Sequence, residues 1–108
     1  MAAIDLNKEL FENYTKDENK PILVDFWAPW CVYCRRIAPA LNILAEAYQD
    51  QLVIGKLNID TEQELAIKEQ IEVIPTLVLY KGGQAIASIV APESKAQLEA
   101  FIKESLHL

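Results

Sequence analysis

The chain is poor in the residues that metal centres and nucleophilic Cys–His pairs require, with one histidine and two cysteines among 108 residues. A structural zinc site takes four ligands, and one copy of the chain offers only Cys31, Cys34 and His107. We therefore expect no metal, although zinc held between two copies stays open as an alternative. His107 is the last residue but one, where we expect a solvated helix end, so no histidine is left to activate a cysteine.

The chain also lacks basic character and long apolar stretches. Its 10 basic and 16 acidic residues leave a net charge of -6, which argues against a nucleic-acid partner. Its longest apolar run, residues 71–80, is interrupted by Glu72 and Pro75 and is shorter than the roughly 20 residues that span a bilayer. The first residues show no basic start followed by an apolar stretch, as a secretory signal would. We expect a cytoplasmic monomer with no membrane contact.

Enough apolar material is present for a core, because 52% of the residues are hydrophobic. Three glycines and five prolines are too few for a low-complexity or disordered protein. At this length the chain fits a single domain, residues 1–108.

Strand-like and helix-like patterns alternate along the chain. Helical spacing predicts helices after Asn7, over residues 34–49 with Pro39 bending or breaking the pattern, and after capping boxes that begin at Thr61 and Ser94. The runs of strand length are residues 4–6, 21–28, 52–59, 76–80 and 84–90. Strands that alternate with helices imply parallel strand pairs joined by helical crossovers. Gly82-Gly83 predicts an antiparallel hairpin between the last two strands. The fold class is therefore α/β, with a mixed sheet and helices on both faces.

The two cysteines are three positions apart, directly after a predicted buried strand and at the beginning of a predicted helix. A disulfide that closes so short a loop restrains the unfolded chain little, so the pair needs a chemical explanation. The N–H groups and dipole of a helix N-terminus stabilise a thiolate at Cys31, and Arg35 and Arg36 add positive charge nearby. Cys34, one turn on, lies deeper, so one thiol can attack a disulfide while the other resolves the intermediate.

Asp25 is the second unusual residue, because it lies inside the apolar run of residues 22–27. Burying an ionised carboxylate is costly, so the pKa of Asp25 should rise. A raised pKa suits the carboxyl to accept and return a proton near neutral pH. Two structural alternatives remain: an aspartate on an exposed strand edge, or one paired with Lys56.

The residues around the cysteines resemble the thioredoxin family. Its active-site segment is similar to residues 24–31 (Val-Asp-Phe-Trp-Ala-Pro-Trp-Cys), to Cys34 and to Ile37-Ala38-Pro39. Residues 56–60 (Lys-Leu-Asn-Ile-Asp) and residues 74–77 (Ile-Pro-Thr-Leu) resemble two further sequence segments that are typical of the family. This resemblance covers essentially the whole chain and implies the thioredoxin fold, a central mixed β-sheet flanked by four α-helices.

The resemblance also implies roles for particular residues. Cys31 is then the nucleophile, Cys34 the resolving thiol and Asp25 a buried proton carrier with Lys56 nearby. A cis peptide bond precedes Pro75, and a shallow substrate groove is lined by Trp30, Ile59, Ile74, Pro75 and Val90. The redox-active disulfide Cys31–Cys34 serves without another cofactor. Protein disulfides are the substrates, a thioredoxin reductase supplies the electrons, and the role is electron transport in cell redox homeostasis.

The chain departs from the family pattern at three places. Val73 and Ala91 stand where thioredoxins usually have glycines beside the groove, and side chains there are expected to narrow the approach of a partner backbone. The third departure keeps other functions open. Val32-Tyr33 stands between the cysteines, where thioredoxins typically have Gly-Pro, and this dipeptide tunes the reduction potential. Tyr33 before the second cysteine resembles glutaredoxins, which makes a glutaredoxin-like, oxidase-like or isomerase-like thiol exchange protein the alternative. A non-catalytic binding module that uses the groove is a further alternative, since fold alone does not fix function.

Overall fold

The computed structural model describes residues 2–108, which form one five-stranded sheet and four helices. The strands are β1 (Ile4–Asp5), β2 (Ile22–Trp27), β3 (Val53–Asn58), β4 (Thr76–Lys81) and β5 (Gln84–Val90). The helices are α1 (Lys8–Thr15), α2 (Val32–Ala47), α3 (Gln63–Lys68) and α4 (Lys95–Leu106). The element order predicted from the sequence patterns is confirmed.

The sheet is mixed, with the strand order β1-β3-β2-β4-β5. Strand β3 runs parallel to both β1 and β2, whereas β4 runs antiparallel to β2 and to β5. The β4–β5 hairpin turns at Gly82 and Gly83, whose φ angles of 60° and 82° are open to glycine at no steric cost. The predicted mixed sheet and glycine hairpin are both confirmed.

Side chains alternate across the sheet into two apolar layers. One face, which α2 and α4 cover, buries residues that include Leu23, Leu41 and Leu98. The other face, which α1 and α3 cover, buries residues that include Phe11, Phe26 and Leu65. Because β2 lies in the middle of the sheet and is covered on both faces, its apolar run does not alternate with polar residues.

The observed helix ends test several predictions that were made from the local sequence. Asn7 caps α1 by accepting the Leu10 N–H at 2.8 Å, and Ser94 caps α4 by accepting the Gln97 N–H at 3.1 Å. At α3 the predicted capping box is wrong, because the Thr61 hydroxyl donates to the Asn58 carbonyl instead. Helix α2 runs unbroken through Pro39. Within residues 2–108, every helix is too short or too polar to cross a membrane.

Candidate active site at the start of α2

The two cysteines meet where β2 ends and α2 begins. They form a disulfide with a Cα–Cα distance of 5.2 Å. Cys31 is the N-cap of α2, since its Sγ accepts the Cys34 N–H at 3.1 Å. Helix α2 consequently begins at Val32, two residues before the predicted start. The exposed fraction is 8% for Cys31 and 2% for Cys34, so Cys31 is the more accessible sulfur, as expected from the sequence.

The cysteines form a small buried cluster with Ala28. Half-buried Ile59 and Ile74 pack against this cluster, Ile59 from the end of β3 and Ile74 from the segment before β4. The Ile74–Pro75 peptide bond is cis, as the resemblance implies. Val90 pairs with Thr76, the residue after Pro75, and is itself exposed. The structure therefore brings residues from three strand ends around the disulfide.

Trp30 precedes Cys31 and is the most exposed aromatic residue near it, with an exposed fraction of 64%. Its indole Nε1–H donates to both carboxylate oxygens of Asp60, at 3.1 and 3.3 Å. This bond holds an otherwise free ring beside the disulfide. Asp60 is a site residue that the sequence reasoning missed. Its signal was its position two residues after the end of β3, at the same sheet edge as the cysteines.

Arg35 has a structural role that the sequence did not reveal. Its guanidinium Nη1 donates to the Pro29 carbonyl at 2.7 Å, and its backbone N–H donates to the Cys31 carbonyl at 3.2 Å. Arg35 thus ties the first turn of α2 to the loop that carries Trp30. Arg36 is exposed. The positive charge expected from this pair lies at the start of α2.

Asp25 is completely buried in β2, on the sheet face that α2 covers. Its register partners are Lys56 in β3 and Leu77 in β4. Both carboxylate oxygens lack a hydrogen-bond partner among the described residues. Burial raises the pKa of Asp25 from 3.8 to about 7, and the positive charge of Lys56 offsets the rise only in part. The predicted rise is confirmed, and the reading of Asp25 as an exposed edge residue is wrong.

Lys56 does not form a direct ion pair with Asp25. Its Nζ lies 4.2 Å from the centroid of the Trp27 ring, a distance typical of a cation–π contact. The Trp27 indole Nε1 is also buried without a partner within residues 2–108. Lys56 therefore acts on Asp25 through its charge, and this part of the site is unusually poor in hydrogen bonds.

No group of three or more histidine, cysteine or acidic side chains in residues 2–108 is arranged to hold a metal ion. His107 terminates α4 as its C-cap, in the left-handed conformation. This agrees with the expected helix-end position, far along the chain from the cysteines.

Comparison with known proteins gives consistent matches along the chain. The family model described as Thioredoxin matches residues 2–104, which include both cysteines. A thioredoxin of Acidithiobacillus ferridurans is 42% identical over 105 residues, 97% of each chain. One of Alicyclobacillus acidocaldarius is 44% identical over 88 residues, which cover 82% of this chain and 84% of the relative. A bifunctional thioredoxin reductase/thioredoxin of Mycobacterium leprae is 46% identical over 80 residues, 74% of this chain and 18% of that longer protein.

Proposed function

Because the chain belongs to the thioredoxin family and is a protein disulfide reductase, we propose that Cys31 is its attacking thiol and Cys34 its resolving thiol. The observation that carries this assignment is the position of Cys31 Sγ as the N-cap acceptor of α2, 3.1 Å from the Cys34 nitrogen. In the reduced protein, the same N–H group and the helix dipole favour a negative charge on that sulfur.

The reaction is a two-step thiol–disulfide exchange. The Cys31 thiolate attacks one sulfur of a substrate disulfide, which forms a mixed disulfide and releases the first substrate thiolate. Cys34 then loses its proton and attacks Cys31 Sγ, which releases the second substrate thiolate and closes the Cys31–Cys34 disulfide. Two electrons pass from the dithiol to the substrate, and no further cofactor is needed.

Asp25 is the acceptor of the Cys34 proton in the second step, acting directly or through water. A pKa of about 7 lets the carboxyl take up and return a proton at neutral pH, as a general base must. Lys56 tunes that carboxyl, because its charge lowers the pKa that burial raises. The burial of Asp25 on the α2 side of the sheet supports this role.

The substrate groove is formed by Trp30, Ile59, Ile74, Pro75 and Val90. Its support is the packing of Ile59 and Ile74 on the cysteine cluster and the exposure of Trp30 and Val90. An exposed apolar surface around a reactive sulfur suits recognition of unfolded or flexible polypeptide.

The physiological setting follows from the family. Thioredoxins imply disulfide-containing protein substrates and a thioredoxin reductase, and one relative is itself named a bifunctional thioredoxin reductase/thioredoxin. We extend the proposal to a single-domain, monomeric protein of the cytoplasm that carries electrons from such a reductase and contributes to redox homeostasis.

Trapping the intermediate tests the assignment of the two cysteines. The variant Cys34→Ser should accumulate a mixed disulfide between Cys31 and insulin, seen as a mass adduct that dithiothreitol removes. The matched variant Cys31→Ser should form no adduct at Cys34 under the same conditions, since Cys34 is the less exposed sulfur. An adduct that forms with equal ease at either cysteine would overturn the proposed order.

A second candidate function rests on Val32 and Tyr33, which are exposed between the cysteines. The alternative is a glutathione-coupled, oxidase-like or isomerase-like thiol exchange protein. Equilibration of the Cys31–Cys34 pair in glutathione buffers separates the two functions. A potential near about -270 mV indicates a reductant, whereas about -180 mV or higher indicates the alternative.

A further inference from the structure

Lys56 carries the charge that lowers the pKa of Asp25, and it has two acidic register partners in the sheet. Lys56 is paired with Asp25 in β2 and with Asp5 in β1. Register partners on neighbouring strands point to the same face of a sheet, so Lys56 lies between a buried acid and an exposed one. Within residues 2–108 it forms an ion pair with neither of them.

The ammonium group of Lys56 lies over an aromatic ring instead. Its Nζ is 4.2 Å from the centroid of the Trp27 ring, which is within the range of a cation–π contact. Trp27 is two residues after Asp25 in β2 and therefore on the same face of the sheet. The Lys56 side chain thus extends along the sheet towards the end of β2, where the cysteines lie.

The Trp27 ring is held by packing rather than by a hydrogen bond. Trp27 packs against the buried cluster of Ala28, Cys31 and Cys34, while its indole Nε1 has no partner among the described residues. Trp27 and Lys56 are both half-buried. A half-buried lysine ordinarily extends its ammonium into water, where the charge is well solvated. The contact with the ring opposes that tendency and keeps the ammonium inside the site.

Asp25 responds to no other charge as strongly as to that of Lys56. On the remaining sides it faces Leu77 in β4 and apolar side chains of α2 and α4, and the disulfide at the start of α2 does not titrate. Burial raises the pKa of Asp25, and among the charged groups of residues 2–108 Lys56 is the one that lowers it, although Arg35 and Arg36 lie near the start of α2. The position of the Lys56 ammonium therefore decides how tightly Asp25 binds its proton.

We propose that Trp27 is a positioning residue, which retains the Lys56 ammonium within range of Asp25 and thereby sets the pH at which Asp25 accepts a proton. The consequence for catalysis rests on the proposed function, in which Asp25 takes the proton of Cys34. Without the ring, the ammonium moves into water or towards exposed Asp5. Asp25 then loses a favourable charge, binds its proton more tightly and acts as a base only at higher pH.

The test follows the titration of Asp25 by NMR in the disulfide form of the full chain. The carboxyl carbons of aspartate are isotope-labelled, and the Asp25 signal is identified by its loss in Asp25→Asn. Trp27→Leu should raise the pH midpoint of this signal by about one pH unit, the lower end of the effect of a nearby opposite charge. Trp27→Phe keeps an aromatic face with a weaker attraction for a cation, so its shift should be smaller and in the same direction.

Two controls separate the positioning of Lys56 from a general effect of losing a tryptophan. Trp30→Leu removes the other tryptophan, whose indole bonds to Asp60 rather than contacting Lys56, and should leave the Asp25 midpoint unchanged. Trp27→Leu is also made in a Lys56→Met background. There it should leave the midpoint of that background unchanged, because no ammonium remains to be released.

Two results would overturn the proposal. In the first, the Asp25 midpoint does not move in Trp27→Phe or in folded Trp27→Leu. In the second, replacement of Trp27 shifts the midpoint equally with and without Lys56, which would assign the effect to water that enters the space left by the ring.

A rate measurement separates this proposal from the proposed function. The rate at which Cys34 releases insulin from the mixed disulfide is followed against pH, and its midpoint should rise in Trp27→Leu by the same amount as that of Asp25. If the Asp25 titration moves and this rate does not follow, the positioning of Lys56 is supported. The role of Asp25 as the proton acceptor is then contradicted.

Discussion

The two faces of strand β2 differ in what they bury. Towards α1 and α3 the strand presents Ile22, Val24 and Phe26, all fully buried. Towards α2 and α4 the same strand presents Leu23 and then Asp25, equally buried but without a hydrogen-bond partner among the described residues. One face therefore gains stability from apolar packing, while the other holds a polar group that disfavours folding when it is charged.

This difference shows how a small domain can support a reactive site. Phe26 packs edge-on against Phe11, with ring centroids 6.3 Å apart, and Phe11 packs against Tyr80 at 5.4 Å. Aromatic pairs of this kind stabilise a core beyond the area they bury. Packing on the aromatic face favours folding, whereas burial of a charged Asp25 opposes it. The following changes test that division.

The largest expected effect comes from Phe26→Ala. Removing a completely buried phenylalanine leaves a cavity and should lower the free energy of unfolding by about 3–5 kcal/mol. Urea unfolding followed by tryptophan fluorescence measures the loss. Below the unfolding transition the rate of insulin reduction should be unchanged, and a folded but inactive variant would show that the two faces are not separable.

The next effect comes from Asp25→Asn and depends on pH. In the unfolded chain the carboxyl has a pKa near 3.8, and in the folded protein about 7. The folded state thus binds the proton more tightly, so the contribution of Asp25 to stability is largest below pH 4 and is lost as pH rises to about 7. The asparagine variant lacks this dependence and should be more stable than the unsubstituted protein by about 2–4 kcal/mol at pH 8.

Thermal unfolding of both proteins at pH 4 and pH 8 measures this difference. The gain in stability should be confined to the higher pH, and release of the mixed disulfide by Cys34 should become slower. A gain that is equal at both pH values would mean that the pKa of Asp25 is the same in the folded and the unfolded chain, so that burial does not raise it.

The smallest effect comes from Tyr80→Phe on the aromatic face. The Tyr80 hydroxyl donates to Glu69 Oε1 at 2.6 Å, while its ring is buried against Phe11. Phenylalanine keeps the ring contact and loses the hydrogen bond, so stability should fall by about 1 kcal/mol. Chemical denaturation at pH 7 checks this, and an unchanged midpoint would assign the whole contribution of Tyr80 to its ring.

The sequence predicted the fold and the central pair of the site because both depend on local patterns. Alternating strand and helix periods determine the sheet and its two helical layers, and Gly82-Gly83 determines the hairpin. The cysteine spacing at a strand-to-helix junction predicted the disulfide and the deeper position of Cys34. The apolar neighbours of Asp25 indicated a buried position but left an exposed strand edge open, and the central place of β2 in the sheet decides between them.

The wrong or missing details depend on contacts that a local pattern does not contain. The start of α2 was misplaced because a cysteine sulfur serves as its cap, and cysteine is not among the usual capping residues. The cap of α3 was wrong because Thr61 has a competing backbone acceptor at Asn58. The bond between Trp30 and Asp60 joins residues 30 positions apart. The hydrogen bond from the Ala91 N–H to the Pro75 carbonyl joins residues 16 positions apart.

The capping role of Cys31 has an evolutionary consequence. Serine, which is isosteric with cysteine and among the best N-caps, can replace it without removing the acceptor that begins α2. A single substitution would then end the redox chemistry while leaving the helix and the groove in place. Lineages that retain this fold can accordingly lose the reaction in one step and keep a surface on which selection can act for binding alone.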